Sequence, residues 1–177
     1  MFCGCAQLKN NEPANATPSL DEKSLVRNNA ASLLYDLLGN EKNVSKILII
    51  KRNSDELGQV IKAISEMAAR NRKALDQLAE KDSGLNLHMM GLPQGEMAAR
   101  AAVGKTKEHE LLSTSGKEFE FNLLLTQVEA LGYGRHLAKV AAENSSLPAE
   151  VQQFTTMSQE MENLYGQVMS QMRRITP

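Results

Sequence analysis

Apolar residues recur at spacings of three and four along most of this chain, the period of helical faces. The richest stretch runs from Ser115 to Glu143. Ser115 and Gly116 break the chain, and Phe121, Leu124, Leu125, Val128 and Leu131 then fall on one face of a predicted helix. After Leu131 the segment Gly132-Tyr133-Gly134 intervenes, and the apolar set restarts out of phase at Tyr133, Leu137, Val140 and Ala141. A glycine in a helix interior costs about 1 kcal/mol relative to alanine, so packing must compensate. A kink there, or a close approach by another helix, is expected. Phe119, Leu123, Ala130 and Leu137 form a second, weaker stripe. A helix apolar on two sides belongs at the centre of a fold, covered from more than one direction.

The other segments arrange themselves around it. Ser19 and Glu22 have the spacing of a capping box and open a first helix carrying Val26, Ala30, Leu33, Leu34, Leu37 and Leu38, which Gly39 is expected to stop. From Asn43 to Arg52, Val44, Ile47, Leu48 and Ile50 suggest a further helical run. The branched cluster there also suits a strand, but no partner strand is apparent. Asn53-Ser54-Asp55-Glu56 starts the next helix, whose seam is Leu57, Ile61, Ile64, Ala68, Asn71, Leu75 and Leu78, with Asn71 as one polar intrusion. Pro148 suits a first turn, and Val151, Phe154, Ser158, Met161, Tyr165, Val168 and Met172 give the last helix the clearest seam of all. Between residues 83 and 115 the pattern weakens, which predicts a shorter, partly exposed helix or an ordered crossover. The expected fold is an all-α, ferritin-like four-helix bundle in a single domain, residues 19–177, with helices crossing at about 20°.

Composition agrees. The chain has 177 residues, enough to bury roughly 70% of its unfolded surface in one domain. It contains no tryptophan and few aromatic residues beside many helix formers. Its 20 basic and 21 acidic residues are interspersed, for a net charge of -1, which argues against a nucleic-acid footprint. No run of 18 apolar residues exists to form a membrane-spanning helix. Residues 1–18 read as a disordered, flexible tether, being rich in Asn, Pro, Ala and Ser. They contain the only cysteines, Cys3 and Cys5, which are poorly spaced for an unstrained disulfide. Phe2-Cys3-Gly4-Cys5 looks like the end of a lipoprotein signal with Cys5 as the lipidated residue, although the apolar region that normally precedes such a motif is not in the sequence. Two readings stay open: a start further upstream, or an accidental pair of cysteines on the tail.

Candidate chemistry is sparse. Di-iron bundles use Glu-x-x-His pairs, but the residues three before His88, His109 and His136 are Leu85, Thr106 and Tyr133. Glu129 and His136 lie about two helical turns apart and are the weak metal candidates, with Glu108, His109 and Glu110 clustered elsewhere. A structural or catalytic metal needs three or four converging ligands, so these read first as solvated polar residues. His88-Met89-Met90 has the donor chemistry of a copper(I) site, but adjacent residues do not easily converge on one ion. Gly91 to Gly95 is too short for a phosphate loop, and Gly104-Lys105-Thr106 has Ala99 where the first glycine of that loop belongs. No nucleophile elbow is present, and no catalytic residue or cofactor is assigned.

The chain resembles a bacterial family of unknown function with a ferritin-like helical bundle, whose members are often predicted to be periplasmic or outer-membrane proteins. The likeness rests on Ser115-Gly116 through Phe119-Glu120, similar to the family's Leu-Ser-Gly-x-x-Phe-Asp signature, with Thr114 in place of the leucine and Glu120 in place of the aspartate. It continues through Val128-Glu129 and Pro148 to Tyr165, and more loosely from Val60 through Met67 to Leu75. Where the family carries histidines, this chain has Arg70-Asn71 and Leu131.

The expected function is therefore a metal-free structural or interaction module, not an enzyme. It would be tethered in the cell envelope through Cys5 and would serve an unidentified protein partner through a helix face or the connection between residues 83 and 115. Two alternatives stand beside it: a degenerate metal-binding bundle using Glu129 and His136, and a cytosolic helical adaptor that forms a homodimer through the second stripe of the central helix. Elemental mass spectrometry on chelator-free protein is expected to find no stoichiometric metal. Near-stoichiometric iron, manganese, zinc or copper, with a matching rise in melting temperature, would favour the metal-binding alternative.

Overall fold

A computed structural model describes residues 19–89 and 91–175. Ser19 opens helix α1 (Leu20–Glu41), its hydroxyl accepting from the Glu22 amide at 3.1 Å. Contrary to expectation, α1 does not stop at Gly39. The bare backbone there makes room for a neighbour, because a Cβ on Gly39 would meet Arg72 Nη1 at 2.0 Å. Arg72 donates to the Tyr35 carbonyl at 3.0 Å and lies over the Tyr35 ring at 3.8 Å. A turn at Lys42 and Asn43 and a single 3-10 turn (Val44–Lys46) lead into the short helix α2 (Ile47–Ile50), so the branched cluster is helical.

Four long helices follow: α3 (Asp55–Lys81), α4 (Gln94–Ser113), α5 (Gly116–Glu143) and α6 (Pro148–Ile175). Among the described residues there is no strand, and the protein is an all-α helical bundle. Round the bundle, α5 packs against α6 and α1, and α3 closes the ring against α1 and α6. The connection from α3 to α5 therefore has to cross the bundle. Helix α4 is part of that crossover and lies outside the ring, against α5. Gly116 starts α5 at φ +58°, a conformation that a side chain would strain.

The α3 seam is buried as predicted from Leu57 to Leu75, with Leu78 half-buried, and Asn71 donates across to Glu160 Oε2 of α6 at 2.9 Å. In α5 the weight of the two stripes differs from expectation. Phe119 and Leu123 of the weaker stripe are fully buried, whereas Leu125, Tyr133 and Val140 of the stronger one are exposed. The glycines cause no break in the helix. A Cβ on Gly134 would sit 2.8 Å from both Leu37 Cδ2 of α1 and Met161 Sδ of α6, so the two neighbours close directly onto its backbone. In α6, Phe154, Met157, Met161, Leu164 and Val168 face the core, but Val151 at the head of the predicted seam is exposed and Glu150 is buried in its place.

Glu150 is buried because it belongs to an ionic cluster at one end of the bundle. Arg27 of α1, 5% exposed, donates through Nη1 to Glu150 Oε2 at 3.0 Å and to Asp82 Oδ2 at 3.2 Å. Its Nη2 donates to the Gly84 carbonyl at 2.6 Å, which also accepts from Asn28 Nδ2 at 3.0 Å. The Gly84 amide donates to Asp82 at 2.9 Å, and this bond is the main reason that the Asp82 carboxyl is held below the usual carboxylate range. Burial, reinforced by Asp82, pushes Glu150 the other way. Ser32 pins the following loop by donating to the Asn86 carbonyl at 3.0 Å and accepting from the Met89 amide at 2.8 Å.

Removing one partner from a buried ion pair costs about 3–5 kcal/mol, because the other charge is left without compensation. Arg27→Leu is expected to destabilise the fold by about that amount in urea unfolding, and the double variant Arg27→Leu/Glu150→Leu is expected to recover most of the loss. A single variant as stable as the parent would show that the cluster does not hold the bundle.

Candidate functional site

Helix α4 differs from the other long helices in having no buried residue along its 20 positions. Its alanine, glutamate, lysine and methionine content suits a helix, but the apolar positions are too diluted to bury one face. Polar contacts attach it. Lys107 pairs with Glu129 of α5. Arg100, paired with Glu96 of its own helix at 2.7 Å, donates to the Tyr133 hydroxyl of α5 at 3.2 Å and lies over the Tyr133 ring at 5.1 Å. At the far end Lys51 donates to the carbonyls of Leu112 at 2.6 Å and Thr114 at 2.8 Å, satisfying acceptors that a helix C-terminus leaves free.

Under α4 lies a run of three cavities of about 610, 450 and 390 Å³. The largest is walled by Val44, Ile47 and Ile50, by Leu111 and Leu112 of α4 and by Leu123 of α5, with Glu41 and Gln127 among its polar residues. The second takes Leu33 and Leu37 from α1 and Met97 and Ala101 from α4, and shares Gly104 with the first. The third shares Glu41, Lys107 and Thr126 with the first. Mostly apolar walls with a few polar groups, at a volume in the hundreds of Å³, describe a small-molecule site.

Glu41 and Gln127 are the chemically unusual residues of this groove. Burial pushes the Glu41 carboxyl up to about 7, countered only in part by a hydrogen bond to the Gln127 side chain. Glu41 Oε2 and Gln127 Oε1 are both buried without a hydrogen-bond partner. Gln127, 2% exposed, uses its Nε2 to donate to Thr126 Oγ1 at 3.4 Å. Two unpaired polar atoms on residues that line one cavity are an unusual feature in a protein interior, where such groups normally find partners.

Neither residue was singled out from the sequence, although the signal was there. Gln127 stands four residues from both Leu123 and Leu131, a polar position on an apolar face much like Asn71. Glu41 stands three after Leu38 on the buried face of α1, and became visible only once the helix was seen to run past Gly39.

The residues that were singled out lie apart. Glu129 is exposed and paired with Lys107, and His136 is exposed two turns further along α5. Among the described residues no group of three or more His, Cys, Asp or Glu side chains is placed to hold a metal ion. His88 packs edge-on against Tyr35 at 5.7 Å, while Met90, Cys3 and Cys5 lie outside the described residues. Compared with protein-family models, curated proteins and solved structures, the chain matches none.

Folded Glu41 keeps its proton up to about pH 7, whereas an unfolded glutamate loses it near 4.5. Between those values the folded state binds more protons, so this residue lowers stability as pH rises. Glu41→Gln is expected to match the parent near pH 4.5 and to exceed it by about 1–3 kcal/mol at pH 8 in denaturant titrations. An unchanged difference between the two pH values would show that Glu41 is not held neutral by the fold.

Proposed function

We propose that the protein is a metal-free, non-catalytic binding module: a ferritin-like bundle, tethered in the bacterial cell envelope through Cys5, whose working surface is the groove beneath α4. The ferritin-like reading is supported by two helix pairs joined through one long crossover, a connection used by such folds. The envelope reading draws on the motif around Cys5 and on the family resemblance.

The observation that carries the binding reading is the state of α4, a 20-residue helix with no buried position laid over a run of cavities. A helix that contributed only to stability would place an apolar face in the core. This one is fastened to α5 by a single exposed charge pair, Lys107–Glu129, which contributes about 0–1 kcal/mol and can release. Helix α4 thus acts as a strap over an apolar groove, and the rigid four-helix ring behind it keeps the groove in shape.

Two measurements test this. In native hydrogen exchange, the α4 amides are expected to exchange at least about 100-fold faster than those of α5 and α6. A neutral apolar fluorescent dye such as Nile red is expected to bind the native protein and to be excluded when Val44→Trp fills the groove. Protection of α4 equal to that of α5, with no dye binding by the native protein, would leave α4 a structural helix and the groove a packing defect.

A further inference from the structure

We propose that the groove receives a primary-amine amphiphile, its ammonium head seated between Glu41 and Gln127 and its alkyl part against Val44, Ile47, Leu111 and Leu123. This rests on the binding-module reading and specifies the chemistry of its ligand.

The unpaired polar atoms decide the head group. Above about pH 7, where Glu41 is ionised, Glu41 Oε2 and Gln127 Oε1 are both acceptors, so a complementary ligand must donate. A primary ammonium carries three donors and can serve both atoms at once, whereas a hydroxyl has one. Charge favours the same answer. A buried carboxylate without a cation is costly, and a cationic head supplies the missing partner on binding.

The cations already near the groove are engaged or exposed. Of the charged residues lining its largest cavity, Lys107 pairs with Glu129, Lys46 is exposed at the 3-10 turn, and Glu108 adds a second negative group. In the adjoining cavities Asp36 is exposed and Arg100 is paired with Glu96. None of these cations is among the causes that set the state of Glu41. A carboxylate head would instead stand beside Glu41 and Glu108, with like charges in an apolar site. The Glu41 Oε2 atom is covered in the closed structure, so the head group reaches it as α4 lifts. The alkyl part then covers leucine, isoleucine and valine walls that α4 leaves in contact with the cavity.

The test is isothermal titration of the full chain with n-octylammonium chloride, n-octanol and sodium octanoate, which share one alkyl chain and differ in head group. At pH 8 octylammonium is expected to bind at least about tenfold tighter than octanol or octanoate, the scale of a charge-assisted hydrogen bond. Its affinity is expected to fall toward that of octanol as the pH drops below 6, where Glu41 holds its proton. Glu41→Gln is expected to remove both the preference and its pH dependence while still binding octanol, which shows the cavity intact. Equal binding of all three probes by the parent, or an undiminished preference in Glu41→Gln, overturns the amine assignment and leaves the binding-module reading standing. Failure of every probe to bind overturns both.

Discussion

The guanidinium of Arg27 organises one end of this bundle. Through Glu150 it sets the register of α6, through Asp82 the end of α3, and through the Gly84 carbonyl the start of the long crossover. A planar cation with five donors can meet partners from several elements in a fixed geometry, which a lysine cannot. The arrangement is specific because burial makes any unmet member expensive. It also accounts for the turn at the head of α6, where a buried glutamate takes the place of a buried valine.

Across the molecule the same residue types have the opposite effect. The Lys107–Glu129 pair and the contact of Arg100 with Tyr133 hold α4 from the outside, in water, where ion pairs are weak and screened by salt. Buried charge fixes the crossover at its start, and exposed charge joins its helix to α5. Lys51 fastens the far end of α4 by capping. The groove beneath has α1 and α5 of the packed ring as its floor and α4, which buries no residue, as its roof. Glu41 and Gln127, buried and short of donors, lie in its wall as a polar requirement that the protein itself leaves unmet.

The helical periodicity was legible in the sequence, and so were most boundaries. The capping serine, the proline at the head of α6, the Asn71 intrusion and the poor amphipathicity of α4 all correspond to features of the structure. The candidate site was much less legible. Gly39 looked like a helix stop but is a place of close approach, because an isolated glycine in a pattern does not say which neighbour needs the space. That reading hid Glu41. In α5 both apolar stripes are visible in the sequence, but their ranking depends on which helices cover them, and Gly134 is compatible with either a kink or the close approach that the structure shows.

By itself the sequence determined the class of fold, since spacings of three and four with few branched or aromatic residues admit helices that must bury their stripes against one another. It also indicated that the segment between residues 83 and 115 would hold a partly exposed helix or crossover. Tertiary structure alone decided that Arg27, Asp82 and Glu150 meet, and that Glu41 and Gln127 share a wall. Those partners are 55, 123 and 86 residues apart in the chain, far beyond the reach of a helical period, and a charge pattern read along a sequence carries no information about which residues burial will bring face to face.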